Sequence, residues 1–219
     1  MASSKKLVLV AGNIGVGKTS LTERIGEKLN WRTTYEVVAT NPYLPDFYKD
    51  MGQWGFHLQV YFLGTRAQQH IVAANDPRSA ILDRSIYEDF YIFSRALRHM
   101  GNFNERDFEA YHTIFDVVIQ SLPTPDLLLF LRAPVDVLLE RIRMRARDIE
   151  SSIDPDYLAL LGRFYDEWMD DFDLCPVLTV PAGELDFVAK PHHLDVIIGY
   201  MQDKLAGKED VIFPPNGEK

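Results

Sequence analysis

Apolar residues gather along the chain in short runs, and between the runs their spacing widens to every third or fourth position. The runs at residues 6–11, 33–38, 79–83, 126–132 and 176–180 are strand-sized and rich in leucine or β-branched residues, which predicts five strands. Helical periodicity covers residues 19–30, 53–75, 86–100, 105–122, 134–147, 156–172 and 192–205, with proline and glycine at the joints. Strands that alternate with helices and carry no polar alternation are apolar on both faces. The fold expected is therefore α/β, a doubly wound five-stranded parallel sheet with helices on both faces. The tail, FPPNGEK, reads as loose, and no internal repeat is present.

Composition narrows the picture. With 219 residues and 47% hydrophobic content, the chain has enough apolar material for one full core, and no break in composition divides it. No run approaches the length of a membrane span, and MASSKKLVLV lacks the long apolar region of a signal peptide, so a cytoplasmic protein without a membrane partner is expected. A formal net charge of −9 argues against a nucleic-acid polymer as partner. Small phosphates need only a local basic pocket. The single cysteine, Cys175, excludes an internal disulfide, and the histidines, His192 and His193 included, show no metal-ligand spacing.

The first apolar run leads into VLVAGNIGVGKTSL, residues 8–21, which fits G-x-x-x-x-G-K-[ST] through Gly12, Gly17, Lys18 and Thr19. Strand, glycine-rich loop and helix follow in the order that a phosphate-binding loop requires. Gly12, Gly15 and Gly17 let backbone N–H groups approach phosphate oxygens, and the helix offers its positive end to the anion. Lys18 supplies charge to the outer phosphates, and the Thr19 hydroxyl can ligate Mg²⁺. A nucleoside triphosphate is the expected ligand.

Further along, GNIGVGKTS, YEVV, GFHLQVYFLGTR, LDRSIYED, RIRMRARDIE and ELDF occur in an order and spacing that resemble the deoxyribonucleoside kinase family over residues 7–205, its bacterial deoxyadenosine and deoxyguanosine kinases above all. The resemblance implies a P-loop kinase fold with an arginine-rich lid at about residues 141–155, one domain spanning the chain, and a homodimer. It implies transfer of the ATP γ-phosphate, with Mg²⁺, to the 5′-hydroxyl of a deoxynucleoside. It also implies that Asn13 and Ser20, within GNIGVGKTS, and Asp186 and Phe187, within ELDF, take part in binding the nucleotide.

The residues support the same chemistry by themselves. Ligands bind at the carboxyl ends of strands in open α/β sheets, so Glu36, Asp83 and Arg84 stand where a reaction would occur. Glu36 is the candidate general base. Asp83 can hold Mg²⁺ directly or through water, and Arg84 can contact the 5′-oxygen or Glu36. The competing reading is a strand-end carboxylate in solvent and a structural Asp83–Arg84 salt bridge. RIRMRAR places Arg141 and Arg145 four apart on one helix face with Arg147 just beyond, a charge cluster suited to a lid over phosphates; ordinary basicity at a helix end would also account for it.

Gln59 and Arg66 are seven apart, so an amide and a guanidinium share a helix face within about 20°, with Phe62 and Leu63 between them. An amide in so apolar a setting needs a partner, and a nucleobase edge would serve. From the resemblance come Asp89 as the partner of Arg66, Phe93 as the aromatic that packs on the base, and Glu150 with Tyr48 at the sugar 3′-hydroxyl. Val37 and Asn41 depart from the family pattern at positions that shape the pocket. Thr19 and Asp83, where animal members carry serine and glutamate, point to the bacterial branch.

A nucleoside monophosphate kinase would need cations for the acceptor phosphate where Glu36 stands, and a nucleotide switch lacks its N-K-x-D guanine reader. The base remains open, since one glutamine serves adenine or guanine by turning its amide. Deoxyadenosine leads, with deoxyguanosine and deoxycytidine close behind.

Overall fold

A computed structural model describes residues 5–35, 41–145, 153–209 and 213. Five strands, β1 (Leu7–Gly12), β2 (Arg32–Thr34), β3 (Ala80–Asp83), β4 (Leu127–Arg132) and β5 (Val177–Pro181), form a parallel sheet in the order β2-β3-β1-β4-β5. Every residue of β1 is buried. Its alternation serves two cores: Leu7, Leu9 and Ala11 face one side, Val8 and Val10 the other.

The first core is closed by α3 (Met51–Asn75), α6 (Glu105–Gln120) and α8 (Pro155–Asp171), the second by α1 (Lys18–Leu29), α7 (Val135–Arg145) and α9 (Pro191–Leu205). Helices thus cover both faces, as the unbroken apolar strands require. Each fully buried Leu or Val in these layers contributes about 1.5–3 kcal/mol. Local signals set the helix ends. Asp50, Asn104 and Asp154 cap α3, α6 and α8 by accepting N–H bonds from Gln53, Asp107 and Asp156. Among the described residues no helix is long and apolar enough to cross a membrane.

Two elements differ from the sequence expectation. The second strand is paired over Arg32–Thr34 among the described residues, and the rest of its expected span, from residue 36 on, lies outside them. A short helix, α2 (Leu44–Phe47), was not anticipated; Pro45 opens it and Leu44 and Phe47 seal it to the core. Residues 86–100 are not one regular helix. They comprise α4 (Ile86–Glu88), a π-helical turn at Asp89–Ser94 and α5 (Arg95–His99). Within the turn the Ser94 hydroxyl donates to the Asp89 carbonyl at 2.7 Å, five residues back.

Candidate active site

β1 has neighbours on both sides, β3 and β4, and the chain reverses direction of winding at that strand, so a crevice opens at its carboxyl end. A cleft of about 740 Å³ lies there. Gly15, Gly17, Lys18, Thr19 and Ser20 form one wall, Gln59, Arg66 and Asp89 another, and Asp186 and Phe187 a third.

The loop conformation depends on its glycines. Gly12 has φ 143°, and a β-carbon there would come within 2.5 Å of the Leu131 carbonyl oxygen. Gly15 has φ 82°, and a β-carbon would meet Ile142 at 2.8 Å. Lys18 Nζ, buried, donates to the carbonyls of Gly12 at 2.7 Å and Asn13 at 2.9 Å, which holds the ammonium inside the loop. Thr19 Oγ1 lies 2.5 Å from Asp83 Oδ2, so helix start and strand end converge. Arg84 follows with φ 74°, a left-handed conformation unusual for a side chain of its size and typical of functional strain. Its guanidinium lies 4.8 Å over the Phe93 ring.

At the opposite wall Arg66 Nε and Asp89 Oδ2 form a buried pair at 2.9 Å, and the Arg66 guanidinium lies 4.6 Å over Phe62. Gln59, buried on the same face of α3, has its Oε1 3.5 Å from the Ser94 hydroxyl. The π-helical turn is what presents Asp89 and Phe93 to the cleft together. Tyr48 and Tyr157 line it between these walls; burial first, then the Tyr48 hydroxyl, raises the Tyr157 pKa.

In the third wall the Asp186 carboxylate accepts the N–H groups of Ala189 at 2.9 Å and Val188 at 3.1 Å, which hold it below its ordinary pKa. Its own N–H donates to His193 Nδ1 at 2.8 Å. Phe187, buried, packs against Gly17, where an added β-carbon would stand 3.1 Å from the ring.

With this geometry in view, the sequence matches the deoxynucleoside kinase model of known protein families over residues 8–205. The chain belongs to the deoxynucleoside kinase family. Its similar relatives include the Bacillus subtilis deoxyadenosine/deoxycytidine kinase, 32% identical over 88% of this chain and 89% of that one. The deoxyguanosine kinase of Lactobacillus johnsonii is 34% identical over 96% of this chain and 98% of that one. Among solved structures, a deoxyadenosine kinase from M. mycoides with the products dCMP and a flexible dCDP bound has a TM-score of 0.81 and 27% identity, over 90% of this chain and 99% of that one.

In this deoxynucleoside kinase two expected nucleotide-binding side chains have structural tasks. Asn13 Nδ2 donates to the Leu158 carbonyl at 2.9 Å while its Oδ1 accepts from Ile14 N–H at 2.8 Å, so the side chain ties the loop to α8. Arg141 donates to the carbonyls of Val16 at 3.0 Å and Ala182 at 2.7 Å, fastening α7 to the loop and to the third wall. Arg145 ends α7 and lines the cleft. Glu36, Arg147 and Glu150 lie outside the described residues.

Two buried residues behind the phosphate loop, Glu88 on the Gly12 N–H and Tyr165 on the Gly12 carbonyl, escaped sequence reasoning. Glu88 carried a readable signal, the S-x-x-E of a capping box from Ser85, and its Oε2 accepts the Ser85 N–H at 2.6 Å. Tyr165 carried none, since an aromatic on the apolar stripe of a helix looks like core.

Thr19 and Asp83 present a hydroxyl and a carboxylate oxygen at one point beside the loop, the hard-oxygen donors that Mg²⁺ takes together with phosphates and water. Among the described residues no cluster of three or more His, Cys, Asp or Glu could hold a metal by itself.

Proposed function

We propose that this chain transfers the γ-phosphoryl group of ATP to the 5′-hydroxyl of a deoxynucleoside, deoxyadenosine foremost, in cytoplasmic nucleotide salvage and as a homodimer. The observation that carries the reading is one cleft with a phosphate-binding loop on one wall and the Arg66–Asp89 pair beside Gln59 on another. Phosphates at one end and a hydrogen-bonding base reader at the other fit a nucleoside acceptor held in line with a triphosphate donor. Relatives named for deoxyadenosine, deoxycytidine and deoxyguanosine support this acceptor class, and a deoxyadenosine kinase structure with bound dATP supports a nucleotide in the cleft.

Glu36 takes the proton of the 5′-hydroxyl as that oxygen bonds to the γ-phosphorus and the bond to the β,γ-bridging oxygen breaks. Lys18 and the backbone N–H groups of Gly15 and of Gly17 to Ser20 hold the phosphates, with Asn13 shaping the loop and Asp186 and Phe187 beside the nucleotide. Thr19 and Asp83 would hold Mg²⁺, which supplies positive charge at the β- and γ-oxygens. Arg84 steadies the 5′-oxygen, and Arg145 and Arg147, with Arg141 anchoring their helix, bring charge from the lid to the moving group. Glu150 and Tyr48 hold the 3′-hydroxyl, Gln59, Arg66 and Asp89 read the base, and Phe93 packs on it.

A radiometric assay of the purified protein with ATP and Mg²⁺ against a panel of deoxynucleosides and their monophosphates tests the proposal. Label transferred to deoxyadenosine supports it; label transferred only to monophosphates overturns it.

A further inference from the structure

Behind the phosphate loop sits a carboxylate that the reaction does not call for. Glu88 is fully buried, and four donors surround it: the Gly12 N–H at 3.2 Å, the Arg84 guanidinium at 3.3 Å and the Tyr165 hydroxyl at 2.5 Å on Oε1, and the Ser85 N–H on Oε2. Tyr165, also buried, stands between three parts of the site. Its oxygen is 2.8 Å from the Gly12 carbonyl and 3.4 Å from Arg84, while its ring stacks on Phe130 of β4 at 5.7 Å.

One hydroxyl has one proton to give, so Tyr165 serves either Glu88 or the Gly12 carbonyl. That carbonyl also accepts from Lys18, the residue a phosphate would draw toward itself. As Lys18 turns to phosphate, the Tyr165 proton can swing to Gly12, and Glu88 then leans more on Arg84.

We propose that Glu88 and Tyr165 are positioning residues that couple occupancy of the phosphate loop to the placement of Arg84, whose left-handed backbone needs an external hold. Hydrogen bonds through Tyr165 and Glu88 thereby tie the loop, the end of β3 and the helix that begins at Pro155 to one another. A buried carboxylate satisfied by four donors is costly to remove and exact in where it holds them.

The competing role is a cap for α4 alone, through Ser85. That role would lower stability without touching turnover of the folded enzyme. Resting on the kinase reading, the test starts from an unmodified protein shown to phosphorylate deoxyadenosine; if it does not, the proposed function fails and not this inference. Tyr165→Phe deletes one hydroxyl and leaves the ring on Phe130, and Glu88→Gln keeps the size of the side chain. Each should lower kcat by about tenfold or more with KM for deoxyadenosine within about twofold. The double variant should lose less than the product of the two, because both act through Arg84. Folded Tyr165→Phe with kcat within twofold of the unmodified enzyme overturns the proposal, as does a loss confined to thermal stability. If Glu88→Gln does not fold, Tyr165→Phe alone decides between these outcomes.

Discussion

Thr19 and Asp83 meet at 2.5 Å although they are 64 residues apart, one in the first turn of α1 and the other at the end of β3. The β1–β3 register pairs Val10 with Asp83, which sets the carboxylate beside the loop that Val10 enters. Two oxygens held at one point by a sheet and a helix are preorganised for a hard cation.

Asp83→Asn should therefore raise the Mg²⁺ concentration for half-maximal activity by about fivefold or more, because a neutral amide attracts the cation less. Titrating activity with Mg²⁺ at fixed ATP measures it. An unchanged midpoint would leave Asp83 as a partner of Thr19 only.

Glu36→Gln should lower kcat by about 10² with modest change in affinity for the nucleoside, the usual scale for a positioned acid–base group. Steady-state kinetics with deoxyadenosine decides the point. Near-normal turnover would remove Glu36 from the reaction.

The Arg66–Asp89 pair makes its wall of the cleft polar and filled, so in the proposed base-reading role a thymine methyl would have to sit against charge. Thymidine should be poorer than the best of deoxyadenosine, deoxyguanosine and deoxycytidine by about tenfold or more in kcat/KM, and Arg66→Met with Asp89→Ala should narrow the ratio. Asp89→Ala alone takes the carboxylate from a buried guanidinium and should cost about 3–5 kcal/mol in chemical unfolding, more than the double replacement. Equal rates on thymidine in the unmodified protein would show that the pair does not read the base.

His193 accepts the Asp186 N–H on Nδ1, so that nitrogen must carry no proton. Burial, with His192 and Lys190 adding to it, holds the imidazole below its ordinary pKa against the pull of Asp186. The unfolded chain then binds the extra proton first. Stability from this contact is complete above the ordinary histidine value of about 6.5 and is lost as pH falls through the lower native value. Melting temperature should decline from pH 7.5 to pH 5, and less steeply in His193→Asn, whose amide oxygen can accept the same bond at any pH in that range. Parallel slopes in the two proteins would sink the idea.

What the chain revealed directly was local in origin. Apolar alternation reports burial on both faces of a strand, the loop glycines report φ values closed to other residues, and Gln59 and Arg66 share a face because an α-helix nearly repeats every seven residues. The strand-end rule located Asp83 and Arg84 for the same reason: where an apolar run stops is written in the run.

Tertiary structure decided which side chains meet. Asn13 and Arg141, expected beside the nucleotide, make hydrogen bonds to Leu158, Val16 and Ala182, carbonyls supplied by distant segments that no local pattern announces. The π-helical turn at Asp89–Ser94 escaped a reading by α-helical period because one extra residue in a turn leaves an apolar pattern nearly intact. Tyr165 looks like core because its ring is core; only its hydroxyl, brought across 77 residues to Glu88, reaches the phosphate loop. Periodicity and backbone preference are properties of neighbours in the chain, whereas a partner for a polar atom is set by sheet order and helix packing, which no local stretch contains.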